Sequence, residues 1–331
     1  MKGLFLVSAT ALAIAAASAH AADIQPAVVY DQAGKNDKSF NEGVFNGITK
    51  FTNDTGIQVR EVEPKNEAQV KQGMERLAKR GYSPIIAVGF TMTNAVQEVA
   101  EKYPDVQFAI IDSVVDLPNV QSVLFKEHEG SFLVGALAAM ASKTNAVGFV
   151  GGMDIPLIRK FECGYEQGAK FVSKDATVLA NMTGSTPDAW SNPTKGTELA
   201  KSQFSRGVDV IFAAAGGTGL GVYQAAKDDG KLAIGVDSNQ NHIQPGTMLT
   251  SMVKRVDLAA YNVYEQAQNG TWKPGITVLG LADGGVDWAL DSNNQSLVSA
   301  AMKAQMDDIK AKIISGEISV HDYMSDNTCS Y

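Results

Sequence analysis

Short runs of apolar, often β-branched residues alternate along the chain with stretches whose apolar positions return at helical spacing. Ala27 to Tyr30 reads as a buried strand, and a helix is predicted from about Phe40 to Thr52. Ile57 to Val62 alternates as a strand, and Glu67 to Arg80 is an amphipathic helix stopped by Gly81. Ile85 to Val88 is a strand, Thr93 to Lys102 a helix halted before Pro104, Gln107 to Ile111 a strand closed by Asp112, and Val120 to Phe125 a fifth strand. The same grammar then repeats. Helices are predicted over Glu129 to Ser142, Pro156 to Lys174, Lys195 to Ser205, Leu220 to Asp228 and Val256 to Gln268. Strands are predicted over Ala146 to Val150, Thr177 to Asn181, Val208 to Ala213, Leu232 to Val236 and Met248 to Val253. Two successive sets of about five parallel strands predict two similar α/β lobes. The chain is expected to cross between them near Lys126 to Gly130, to return to the first lobe with the helix at Val256 to Gln268, and to cross again from about Asp283. The predicted division is 22–127 plus about 255–282 for the first lobe, and 128–254 plus about 283–331 for the second.

The first residues break this grammar. Lys2, an apolar run from Leu4 to Ala17, and Ala19-His20-Ala21 have the layout of a cleaved secretory leader, with a mature start at Ala22 or Asp23. The run is shorter than the roughly 20 apolar residues a membrane-spanning helix needs. No cysteine stands near the cleavage point, where a lipid-anchored protein needs one, so a freely soluble periplasmic protein is expected. Outside the cytoplasm the two cysteines, Cys163 and Cys329, form either a bridge or two buried thiols. A net charge of −8 argues against nucleic acid and anionic membranes as partners.

In open parallel sheets a ligand sits beyond the carboxyl ends of the strands. The residues there are Asp31, Phe90 and Asp112 in the first half, and Asp237 and Lys254 in the second. A carboxylate accepts two hydroxyls at once, which suits a sugar or ribose. Aspartate at a strand end also caps the helix that follows, so the set says more than any one member. Gly216-Gly217-Thr218-Gly219-Leu220-Gly221 follows a strand and opens a helix; it either offers backbone N–H groups to a ligand or lets the helix pack closely. It is no dinucleotide fingerprint, because the third glycine is missing from either start, at Val222 or Gln224. Phe40, after Asp37-Lys38-Ser39, in which Asp37 and Ser39 read as helix-start residues, and Trp190, in the polar loop Thr186 to Pro193, are aromatics in polar surroundings; one from each lobe would clamp a planar ring, or each covers its own loop. Neither a nucleophile elbow, metal-ligand spacing nor a Cys-x-x-Cys pair occurs, so no enzyme, metal or cofactor is expected.

Several segments occur in one order: Asp37-Lys38-Ser39-Phe40-Asn41 with Gly43 and Gly47, Phe161-Glu162-x-Gly164, Asn192-Pro193-x-Lys195-Gly196, the Gly216 to Gly221 loop, Gly235-Val236-Asp237-Ser238, and Ser251-Met252-Val253-Lys254. The chain thereby resembles the basic membrane protein family of ABC transporter substrate-binding proteins, which bind purine nucleosides. The resemblance spans nearly the whole mature chain and implies a type I periplasmic binding fold, with two Rossmann-like lobes joined by a three-stranded hinge. It implies that Phe40 stacks on the purine, that Asn41 contacts the ligand, and that Asp112, Asp237, Gly217 and Lys254 are polar contacts. An ABC permease is the implied protein partner, and monomer the implied state. Many relatives have phenylalanine at Trp190 and aspartate at Asn192, and many are lipid-anchored. The expectation is a receptor for a purine nucleoside. A free base or a sugar as ligand, a nucleoside hydrolase, and docking on a membrane sensor are the alternatives.

Overall fold

A computed structural model describes residues 23–329; the expected leader lies outside them. The first half contains β1 (Ala27–Val29), α1 (Phe40–Thr55), β2 (Arg60–Val62), α2 (Glu67–Lys79), β3 (Ile85–Val88), α3 (Thr93–Lys102), β4 (Phe108–Ile111) and β5 (Val120–Phe125). The second contains α4 (Glu127–Ala141), β6 (Ala146–Met153), α5 (Pro156–Val172), β7 (Thr177–Gly184), α6 (Pro193–Ser205), β8 (Val210–Ala214), α7 (Gly219–Asp228), β9 (Leu232–Asp237) and β10 (Met248–Lys254). Then follow α8 (Val256–Gln268), β11 (Gly275–Leu279), β12 (Val286–Trp288) and α9 (Ala300–Ser315).

The strands form two six-stranded sheets, ordered β11-β5-β4-β3-β1-β2 and β12-β10-β9-β8-β6-β7. The five strands read from the sequence in each half are present, and each sheet gains a sixth from the returning tail. β11 pairs parallel to β5, whereas β12 runs antiparallel to β10, which departs from the all-parallel expectation. The interior strands β1, β3 and β4 are buried on both faces, which explains their continuous apolar runs. β6 continues through Gly151 and Gly152 rather than ending before them, because β7 pairs with it as far as Met153 and Gly184. α4 is buried almost all round, as its unbroken apolar character requires, between α5, α9 and β10.

One apolar core spans the inner helices and both sheets; two further clusters lie under α2 and α3 and under α6 and α7. α8 packs on α1 of the first lobe. Three crossovers run side by side, at Lys126, Arg255 and Gly280 to Gly285. They are tied by Lys126 N–H to the Leu279 carbonyl (2.9 Å) and Arg255 N–H to the Gly285 carbonyl (2.8 Å). Cys163 of α5 is bonded to Cys329, with 5.4 Å between their Cα atoms, so the pair is a bridge and not two thiols. Among the described residues no helix is long and apolar enough to cross a membrane.

Candidate ligand cleft

Each sheet reverses its strand order between its first and third strands, β1/β3 and β6/β8. Loops leaving two such neighbours go to opposite faces, which opens a crevice at their carboxyl ends. The two crevices face one another and enclose a cavity of about 310 Å³, at the small end of the ~300–1,000 Å³ usual for small-molecule sites.

Of the residues predicted from the sequence, Asp31, Phe40, Phe90, Asp112, Trp190, Asp237 and Lys254 line this cavity. Asn41 and Gly217 do not. Asn41 is fully buried, and its amide donates to Asp31 Oδ1 (2.7 Å) and Asp37 Oδ2 (3.1 Å), so it positions Asp31 from behind. Gly217 lies beneath the Trp190 carbonyl, while its neighbour Gly216 reaches the wall.

Sequence reasoning passed over Asp37, Phe161 and Asp188, which also line the cavity. Asp37 read as a helix-start residue, and it is one. Its carboxylate accepts the N–H groups of Ser39 (2.9 Å), Asn41 (2.9 Å) and Glu42 (3.0 Å) at the start of α1. Phe161 stands with Leu157 and Ile158 on the first turns of α5, directly after β6. The sign that would have found them is the apolar cluster at the start of a helix leaving a switch-point strand.

Lys254, at the end of β10, crosses to the first lobe. Its ammonium donates to Asp112 Oδ2 (2.6 Å) and pairs with Glu127 Oε1 (2.9 Å). It lies 5.3, 5.1 and 5.5 Å from the ring centres of Phe40, Phe125 and Phe161. Burial would discharge it, but Asp112, Glu127 and Asp237 together hold its pKa above the ordinary lysine value. Burial also raises Glu127, yet Lys254 and Lys160 outweigh that and hold its carboxyl at about 2. Asp112 Oδ1 is buried and no protein donor reaches it, which leaves an unmet acceptor on a residue of the cavity wall.

Burial pushes Asp31 up to about 6 against the pull of Asn41 and the Ala33 N–H. It pushes Asp237 up to about 7 against the pull of Lys254 and the Ser39 hydroxyl. Five aspartates (31, 37, 112, 188 and 237) thus face two lysines (65 and 254) in the wall, among the faces of Phe40, Phe90, Phe161 and Trp190. Such a wall takes an uncharged, donor-rich molecule with a flat apolar part, and repels anions.

Trp190 closes a 3₁₀ turn, Pro187–Trp190, and its ring lies over β6 at Gly152, where a Cβ would sit 1.9 Å from Cζ3. Thr218 holds that turn by donating to the Ala189 carbonyl (2.7 Å) and accepting the Asn192 N–H (2.7 Å). The glycines of the loop serve close packing as well, since a Cβ on Gly221 would meet the Pro193 carbonyl at 1.8 Å. Asn192 caps α6 through the Lys195 N–H (3.0 Å), a role aspartate also fills.

Most of the chain is similar to known ABC transporter proteins. A family model described as "ABC transporter substrate-binding protein PnrA-like" matches residues 24–323. The "ABC transporter nucleoside-binding protein BmpA" of Lactococcus lactis is 31% identical, over 88% of each chain. An uncharacterized lipoprotein of Pyrococcus abyssi is 34% identical, over 89% of this chain and 77% of its own. Among solved structures, a solute-binding protein of an ABC transporter system from Aeropyrum pernix superposes with a TM-score of 0.84 at 27% identity, covering 92% of this chain and 95% of that one.

Proposed function

Since the chain belongs to the Bmp family of PnrA-like ABC transporter substrate-binding proteins, we propose that it captures a purine nucleoside between its lobes and delivers it to an ABC importer. The two lobes of the proposal are 22–127 with about 255–282, and 128–254 with about 283–331. The observation that carries the ligand reading is the cavity wall: carboxylates in excess of cations, set among four aromatic rings. Phe40 of one lobe and Trp190 of the other provide faces for the base, and the aspartates accept from ribose hydroxyls or base N–H groups. A 5′-phosphate would meet carboxylates, so the nucleoside rather than the nucleotide is the ligand. The nucleoside-binding relative named above supports this reading. The protein acts by binding and closure, not by catalysis, outside the cytoplasm; a relative is named a lipoprotein, and membrane fractionation tests whether this chain is anchored.

The deciding experiment is a thermal-shift panel of adenosine, guanosine, inosine, xanthosine, uridine, free bases, ribose and glucose. A ligand at about 100 times its Kd adds about 2.7 kcal/mol of stability. Purine nucleosides are expected to shift the midpoint most, with free bases weaker. A shift by ribose or glucose, with none by nucleosides, would overturn the base-clamp reading and make the ligand a sugar. Release of free base from a stoichiometric incubation would make the protein a hydrolase.

A further inference from the structure

Two bonds cross the cleft directly, without passing through the cavity wall on both sides. Gln240 Nε2 donates to the Lys38 carbonyl (2.6 Å), and the Ser39 hydroxyl donates to Asp237 Oδ2. Neither Gln240, Lys38 nor Ser39 lines the cavity. Both halves of this contact are fixed within their own lobe. On the first lobe, the Asp37 carboxylate gathers the N–H groups that follow it, and Lys38 takes a left-handed backbone (φ 62°) unusual for a non-glycine residue. That turn presents the Lys38 carbonyl outward. On the second lobe, Gln240 is buried, and its Oε1 accepts the Tyr223 hydroxyl (2.7 Å) and the Val236 N–H (2.8 Å). Its own N–H donates to Ser251 Oγ (3.0 Å). Only the Nε2 group is left over, and it is aimed at the other lobe. Two preorganised groups lose little freedom when they meet, so the bond favours the joined state more than a bond between mobile chains would.

We propose that the Asp37–Ser39 turn and Gln240 form a latch that holds the lobes closed by itself, so that Gln240 is a positioning residue for ligand retention that touches no ligand. The proposal uses the binding role given above for its purpose, while its test uses no ligand at all. Gln240→Glu is isosteric: the acceptor for Tyr223 and Val236 survives, and the donor facing the Lys38 carbonyl becomes an acceptor. Gln240→Glu also adds a buried charge beside Asp237, which Ser39→Ala does not, so both variants must shift the same way. Spin labels on Gln72→Cys (α2) and Ser202→Cys (α6), both exposed, report the distance between lobes with the native disulfide intact.

Without ligand, the otherwise unaltered protein is expected to show a closed population at the distance seen in this structure. Gln240→Glu is expected to lower the closed-to-open ratio about fivefold or more, the factor carried by about one net hydrogen bond. Ser39→Ala is expected to shift the ratio in the same direction with its thermal midpoint retained, and it decides the matter if Gln240→Glu does not fold. Distance distributions unchanged from the parent in the folded variants would overturn the latch. A protein that binds no nucleoside but shows these shifts would retain the latch and lose only the ligand.

Discussion

Asp112 and Asp237 each stand one step beyond the apolar run of a strand, and each has a left-handed backbone, at φ 69° and 65°. Asparagine and aspartate tolerate that conformation better than other side-chain-bearing residues. The constraint shapes the choice of variant. Asp237→Asn keeps the backbone preference and the size while removing the charge. Burial raises the Asp237 pKa from 3.8 to about 7, so the folded protein holds this proton more tightly than the unfolded chain. Its contribution to stability is therefore complete below about pH 4 and is lost as the pH rises toward about 7. The unliganded Asn variant is expected to overtake the parent in thermal stability across that window. The gain should level off above it, at on the order of 4 kcal/mol. Nucleoside affinity should fall at the same time. Midpoints of both proteins between pH 4 and pH 8 check this, and parallel curves would place the proton elsewhere.

At the scale of the element, β6 illustrates a strand shaped by what must lie on it. Gly152 is its penultimate residue, and the Trp190 ring occupies the space of the missing side chain. Gly152→Ala brings a methyl within 1.9 Å of the indole, so the ring must move off the strand. Overpacking of this kind costs about 1–3 kcal/mol. Calorimetric titration is expected to show nucleoside affinity lowered about tenfold, the loss expected from one stacking contact and part of its burial. Unchanged affinity would remove Trp190 from the ligand clamp. The glycine was visible in the sequence as part of a pair after a strand; the tryptophan above it was not, because 38 positions of chain separate them.

At the scale of the whole molecule, the C-terminal segment after α9 straps back onto α5. His321 N–H donates to Gln167 Oε1 (2.8 Å), the Gln167 amide donates to the His321 carbonyl (3.0 Å), and Lys160 pairs with Asp322 (3.4 Å). The Cys163–Cys329 bond closes the strap over a separation of 166 residues. Reduction is expected to destabilise the protein by about 2–4 kcal/mol, seen as a midpoint lowered by several degrees in dithiothreitol. Nucleoside affinity should persist, because neither cysteine lines the ligand cavity. An equal midpoint in reductant would mean that the strap's polar bonds suffice.

The sequence by itself determined the alternation of strand and helix, because period and turn chemistry are local. Through the strand-end rule it also singled out five of the residues that line the cavity, and two more, Phe40 and Trp190, as aromatics in polar loops. It could not reveal β11, β12 or α9, whose edge positions and exposed faces weaken the apolar period. Nor could it separate contact from support. Asn41 lies next to Phe40 yet turns its amide to two aspartates, and Asp37 is both the cap its position suggests and part of the wall. Gln240 carried no signal at all, since its partner lies 202 residues away. Those assignments depend on which lobe surfaces meet, and only the tertiary structure, by bringing distant strand ends face to face, decides that.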